Sequence, residues 1–366
     1  MLATAVILSY NRQDVLRRQL LYYSNKPVHL IFADGSDADW GSGDSGSIGE
    51  MTWEYFRISG RHSYLKRMAE GCRRVKTDYM FRVDDEECIL WTGVEKAITF
   101  LNQNPDHSCA GGRADSTSLS WRRLCLVPHY AKGRGMTLIQ SEPLLRINSL
   151  SGLDRIRSIF YQVQRTSDVT RIADAAKDVV IEGRSPSFIE YLFDVSTILC
   201  GKYQSMEYPF WIRNGGSVPI LPSEKVSIGG GDAALCASLI LDAHSEILMR
   251  QSDFDLELFT QAILSCIMSI SKPRKKSAIS TKKTKVGKGR TFFTKKSTDF
   301  SHLLFDYIPK LYEILRPSGL KTFKRYAEVY NTDSRQVIED ALSIEEIWKM
   351  FPNGVSKTDL KSLIKS

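Results

Sequence analysis

Three polar stretches of the sequence combine residue types that can hold a charged ligand: Ser9-Tyr10-Asn11-Arg12, Asp34-Gly35-Ser36 and Asp84-Asp85-Glu86-Glu87. The last is the most demanding electrostatically. Four consecutive carboxylates repel one another unless a cation or neighbouring Arg and Lys compensate them. Mg2+ and Mn2+ take oxygen ligands and are usually held by one or two carboxylates, with substrate phosphates and water completing the shell. A divalent ion bound together with a diphosphate therefore explains the run, and a solvated acidic turn is the plainer alternative. Asp34-Gly35-Ser36 suits a turn whose Asp accepts local backbone bonds, and it also presents a carboxylate to a ligand. Tyr10 can stack on a base, and Asn11 and Arg12 suit polar edges and phosphate, unless they only lead into the first helix.

What links the three stretches is their place at the ends of apolar runs. Residues 4–10, 28–33 and 79–83 read as buried strands, each stopping at one of the polar stretches. Helical spacing falls between them, over 14–23 and 62–75, with a further strand over 53–58. Alternation of this kind predicts an α/β fold on a mainly parallel sheet flanked by helices. In such sheets ligands bind beyond the carboxyl ends of the strands, so three polar strand ends point to one crevice. The Gly-, Ser- and Asp-rich stretch 34–50 reads as a loop, and Thr92 to Glu95 as a capping box opening the next helix. Residues 154–181 and 185–202 read as helices, and the chain beyond the glycines at 229–231 as largely helical.

Three blocks, TAVILSYNR, HLIFADGSDAD and KTDYMFRVDDEE, resemble the nucleotide-binding part of GT-A glycosyltransferases in the large family-two-like class. The Thr-Asp-Tyr lead-in and the LWTGVEKAI that follows the acids are similar to a bacterial subgroup tied to surface polysaccharides. The resemblance covers residues 1–115 well and 180–215 loosely. It implies a Rossmann-like GT-A domain that binds a nucleotide-sugar donor, with Asp34 on the base, Asp84 and Asp85 on ribose and metal, and Glu86 on Mn2+ or Mg2+. Asp is usual at the position of Glu86, whose longer arm bears on metal dependence. Tyr10, Asn11, Arg12, Ser36, Lys66 and Arg213 complete the expected donor-binding set.

Inverting sugar transfer needs a carboxylate to take the proton of the attacking hydroxyl. In the class that base sits at the start of a helix bordering the acceptor, which implies Glu190, with Asp194 one turn further on. Ser187 and Glu190 also fit a capping box, and Asp194 a solvated helix position. Phe210 and Trp211 are aromatics that suit either sugar faces or the core, and Arg213 beside them suits a leaving diphosphate.

Charge is concentrated rather than general. The formal net charge is +8, yet residues 272–296 hold 11 of the 50 Lys and Arg and none of the 42 Asp and Glu; without them the balance is −3. That segment reads as a mobile loop, either a solvated linker or an attachment to an anionic membrane face. It lacks the stacking pattern of a nucleic-acid site. No apolar run or leader signals a membrane span or secretion, and seven scattered cysteines suit reduced thiols, so a cytoplasmic enzyme at the inner membrane face is expected.

The organisation expected is a glycosyltransferase domain over 1–228, a helical region over 229–271, the Lys-rich loop over 272–298 and a helical tail over 299–366. Its acceptor would be a glycan or lipid-linked glycan. Two other readings stay open: a nucleotidyltransferase making a nucleotide-sugar, although the usual Gly-rich phosphate loop is missing, and a non-catalytic domain binding a nucleotide or polyanion.

Overall fold

A computed structural model describes residues 1–40, 45–120, 123–128, 137–151, 159–184, 187–214, 228–249 and 255–271, together with Asp340 and Ile344. The first half follows the sequence pattern: β1 (Ala3–Ser9), α1 (Gln13–Tyr23), β2 (Val28–Asp34), β3 (Ser45–Ile48), β4 (Met51–Arg57), α2 (Tyr64–Arg74) and β5 (Tyr79–Asp84). Then come β6 (Cys88–Ile89), α3 (Trp91–Gln103), β7 (His107–Ser120), β8 (Arg123–Pro128), α4 (Pro143–Ser151), β9 (Val163–Arg165) and α5 (Thr166–Ala176). Last are α6 (Ser187–Cys200), β10 (Lys202–Asn214), α7 (Gly230–Leu248) and α8 (Leu256–Ser271).

The strands form one sheet in the order β3-β4-β2-β1-β5-β9-β7-β10-β6, with β8 paired to β7. β4, β2, β1 and β5 run parallel, as do β7 and β10, while β9 is antiparallel to both β5 and β7 and so joins the two parallel groups. The architecture is mixed α/β with a mostly parallel central sheet between helices. β1 and β2 bury almost every residue, which is why they read as unbroken apolar runs and not as alternation. On one side α2 presses its Gly71 against Val6; a Cβ there would stand 2.8 Å from the valine methyl. On the other, Tyr23 of α1 packs against Phe81 of β5.

Three local expectations are corrected. The 34–50 stretch is not all loop: β3 is an exposed edge strand, antiparallel to β4, and few apolar residues mark it because nothing covers it. The 154–181 stretch is not one helix, since β9 interrupts it and, among the described residues, its α-helix runs from Thr166. Thr92 does not open a capping box: α3 starts at Trp91 after Leu90 with no side-chain cap, and the Thr92 hydroxyl donates to Asp340 instead. Ser187 is the first residue of α6 and Glu190 lies in its first turn. The Lys-rich loop over 272–298 lies outside the described residues, as does the tail apart from Asp340 and Ile344. Among the described residues no helix is long and apolar enough to cross a membrane.

Candidate functional site

β1, β2 and β5 end side by side, so the three polar stretches meet at one edge of the sheet. Backbone bonds tie the ends together, with Gly35 N donating to Ser9 O (2.9 Å) and Ile58 N to Asp34 O (3.0 Å). Asn11 adopts a left-handed backbone (φ 54°), a conformation that Asn tolerates better than most residues. Its N–H donates to the Ser36 hydroxyl (2.7 Å), and its side chain exchanges bonds with Asp37. Asn11 thus pins the first strand end to the second, while Tyr10 beside it is half-buried.

Asp34 is fully buried and well supplied with donors. One carboxylate oxygen accepts from Ser36 N (3.0 Å) and Ser36 Oγ (2.5 Å); the other accepts from Tyr55 Oη (2.9 Å) and Gln13 Nε2 (3.2 Å). Burial, followed by the nearby Asp34 carboxylate, pushes the Tyr55 hydroxyl up, so it stays a donor. The turn reading of Asp34 therefore describes this geometry, and a base approaching it would share it with four internal partners.

The acidic run behaves differently, because the strand and the turn send its side chains to separate elements. Asp84 accepts from Tyr161 Oη (3.1 Å), Asp85 from Ser9 Oγ (2.8 Å), and Glu87 from Trp211 Nε1 (2.6 Å). Arg12 lies 2.6 Å from Glu86 and 3.6 Å from Asp85, and Arg213 lies 3.2 Å from Glu87. Gln19 of α1 donates to the Asp85 and Glu87 carbonyls and fixes the turn's backbone. The far oxygen of Asp85 is buried without a hydrogen bond. Burial pushes its carboxyl up to about 7, and burial likewise raises Asp84 and Glu87.

That Asp85 oxygen, which has no hydrogen bond and faces Arg12 Nη1 at 3.6 Å, and the half-buried Glu86 beside it fit a hard divalent cation in kind. No group of three or more His, Cys, Asp or Glu among the described residues is arranged to hold one. Two protein carboxylates are the usual contribution to a Mg2+ or Mn2+ shared with phosphates.

Two neighbouring cations on α2 differ in their surroundings. Lys66 is exposed, whereas Arg67 is 2% exposed and faces the crevice. Arg67 donates to Gly60 O (2.9 Å) and Ser63 Oγ (3.2 Å), and among the described residues no carboxylate forms an ion pair with it. Burial holds its guanidinium below the ordinary arginine range. It passes so close to Gly35 that a Cβ there would stand 1.5 Å from its Nη1, so any side chain at 35 would displace the guanidinium. The signal was present: Tyr64, Arg67, Met68 and Gly71 share one helix face that Lys66 does not.

Glu190 lies in the first turn of α6, near enough to Tyr64 and Tyr161 to raise both hydroxyls alongside their burial. Because Tyr161 bonds Asp84, Glu190 borders the acidic corner. Of the two readings of Asp194, the solvated helix position does not hold. It is 1% exposed and close enough to the buried Arg82 to favour that residue's charge, so it faces the interior. Phe210 and Trp211 are core residues, with Trp211 stacked on Tyr161 at 3.9 Å between centroids. Tyr161 is a site residue the sequence did not disclose, since it stands in a stretch read as helix.

No protein-family model and no curated protein matches the chain. Among solved structures, S. aureus TarS 1-349 aligns over 96% of this chain and 92% of its own, at 11% identity and a TM-score of 0.48. Its complex with UDP-GlcNAc aligns over the same shares at 12% and 0.48. The longer S. aureus TarS structure aligns over 99% of this chain and 55% of its own, at 12% and 0.45. Likenesses this distant leave the chemistry of this chain to be argued from its own residues.

Proposed function

We propose that the chain is a GT-A-type glycosyltransferase that uses a nucleotide-diphosphate sugar. The observation carrying this reading is the pairing, at one edge of the sheet, of an acidic turn with a buried arginine that forms no ion pair with a carboxylate among the described residues. A free nucleotide supplies anions without needing the acids; a cation alone does not need Arg67. A diphosphate travelling with a divalent cation needs both.

On this reading Asp34 and Ser36 bound the base pocket, with Tyr10 available to stack. Asp84 faces the ribose side, and Asp85 and Glu86 hold Mn2+ or Mg2+. When bound, the ion neutralises charge on the departing diphosphate. Arg213 and Arg67 add fixed positive charge there, which costs no reorganisation during reaction. Glu190 takes the acceptor's proton, which makes the transfer inverting, and Asp194 acts at most by positioning α6. The acceptor is a glycan or a lipid-linked glycan of a cell-surface polymer. The Lys-rich segment 272–296 would bring the enzyme to an anionic membrane face from the cytoplasmic side.

One observation favours a second reading. Arg12 already spans Asp85 and Glu86, so the carboxylates have a resident cation, as in a domain that binds a nucleotide without metal or turnover. A panel of nucleotide-sugars, incubated with the full chain and Mn2+, separates the two. Release of free nucleoside diphosphate from one donor, lost in Glu86→Ala and Glu190→Gln, supports the transferase. Tight binding with no release from any donor, with or without acceptor glycans, supports the second reading.

A further inference from the structure

Helix α3 begins immediately after the acidic turn and β6, and its own sequence provides no side-chain cap. The first N–H groups of a helix need acceptors, and an uncapped start is destabilising. Here the acceptor comes from 248 residues away. One oxygen of Asp340 accepts both Thr92 N (2.9 Å) and Thr92 Oγ1 (2.6 Å), and the other meets Lys26 Nζ at 3.0 Å. Asp340 is 7% exposed, and Ile344, four residues later, is 1% exposed within the main core.

The contact continues a row of bonds along one side of α1. Gln19 holds the carbonyls of Asp85 and Glu87, Tyr23 Oη donates to Ile89 O (3.1 Å), and Tyr22 Oη accepts from Trp91 N (3.1 Å). Lys26, just past the helix, also stands 5.0 Å from the Tyr22 ring centroid. Residues 85–92 are thus held at nearly every step by the side of α1, and Asp340 closes the last step.

We propose that Asp340 is a positioning residue: it caps α3 from the C-terminal part of the chain and locks that helix to Lys26, so that the acidic turn keeps its place. Asp340 is then a part of the site's scaffold, and Ile344 near it lies in the core. A carboxylate suits this task because the helix start is partly positive and Lys26 adds a full charge. Like-charge crowding among the acids favours splaying of the turn, and a fixed α3 opposes it.

Hydrogen–deuterium exchange on the full chain tests this without any nucleotide, so its outcome is separate from that of the glycosyltransferase reading. In Asp340→Ala, exchange across 88–94 rises roughly five- to tenfold while β1, β2 and β4 keep their protection. Asp340→Asn retains an oxygen for Thr92 but loses the charge on Lys26, so it falls between wild type and Ala. Unchanged exchange at 88–94 in Asp340→Ala overturns the proposal, and so does a rise spread evenly over the whole sheet. If Asp340→Ala does not fold, Lys26→Met carries the same test at lower amplitude, with the Thr92 bond left in place.

Discussion

Two strand ends two places apart in the sheet hold buried carboxylates, and they hold them in opposite ways. At the end of β2, Asp34 has four donors on two oxygens. At the end of β5, four acids share one turn; Asp85 keeps an oxygen with no hydrogen bond, and Arg12 and Arg213 stand among them. The first arrangement is complete without a ligand. The second leaves electrostatic demand that a cation and a diphosphate can meet. A buried carboxylate at a sheet edge is thus a scaffold where its donors are internal, and a binding element where they are short.

Removing the scaffold has the largest effect. Asp34→Ala leaves Ser36, Tyr55 and Gln13 with a buried gap and lowers stability by about 3 kcal/mol in urea unfolding. A loss near zero together with abolished nucleotide affinity would instead move Asp34 from scaffold to ligand contact. The smaller effect belongs to the crowded turn and depends on pH. Asp85 is pushed up to about 7 from an ordinary value of 3.8, so the folded state resists its ionisation. Its contribution is full below about pH 4 and declines as pH rises toward about 7, at up to about 1.4 kcal/mol per pH unit. Asp85→Asn therefore gains melting temperature relative to wild type at about pH 8 and loses that gain by about pH 5; a constant difference would sink the assignment. Smallest is Lys66→Ala, which changes stability and nucleotide affinity by less than about 0.5 kcal/mol. Arg67→Met, one residue on, is expected to weaken nucleotide binding at least tenfold.

The strands that carry the site were legible because burial on both faces makes β1, β2 and β5 continuous apolar runs, and each run stops at its polar end. Convergence of those ends followed from the parallel sheet. What stayed hidden depended on contacts between distant segments. Lys66 and Arg67 are equivalent as charges, and only the helix face shared with Tyr64, Met68 and Gly71 separates them. That Asp194 is buried was not legible from its helix spacing, because the buried Arg82 that it faces sits on β5, far away in sequence. Tyr161 and β9 lie in a stretch whose composition suits a helix, and the short strand forms because β5 and β7 leave a gap for it. Asp340 has no local signal at all, since its partners are Lys26 and Thr92.

The central claim is that the crevice binds a nucleoside diphosphate together with a divalent cation. Calorimetric titration of common nucleoside diphosphates and nucleotide-sugars into the full chain, with and without Mn2+, tests it most directly, repeated on Asp84→Ala/Asp85→Ala protein. Binding of one nucleotide that Mn2+ strengthens at least tenfold, and that the double substitution abolishes in folded protein, is the result expected. Absence of binding by any nucleotide under both conditions, with the protein intact by circular dichroism, would contradict it.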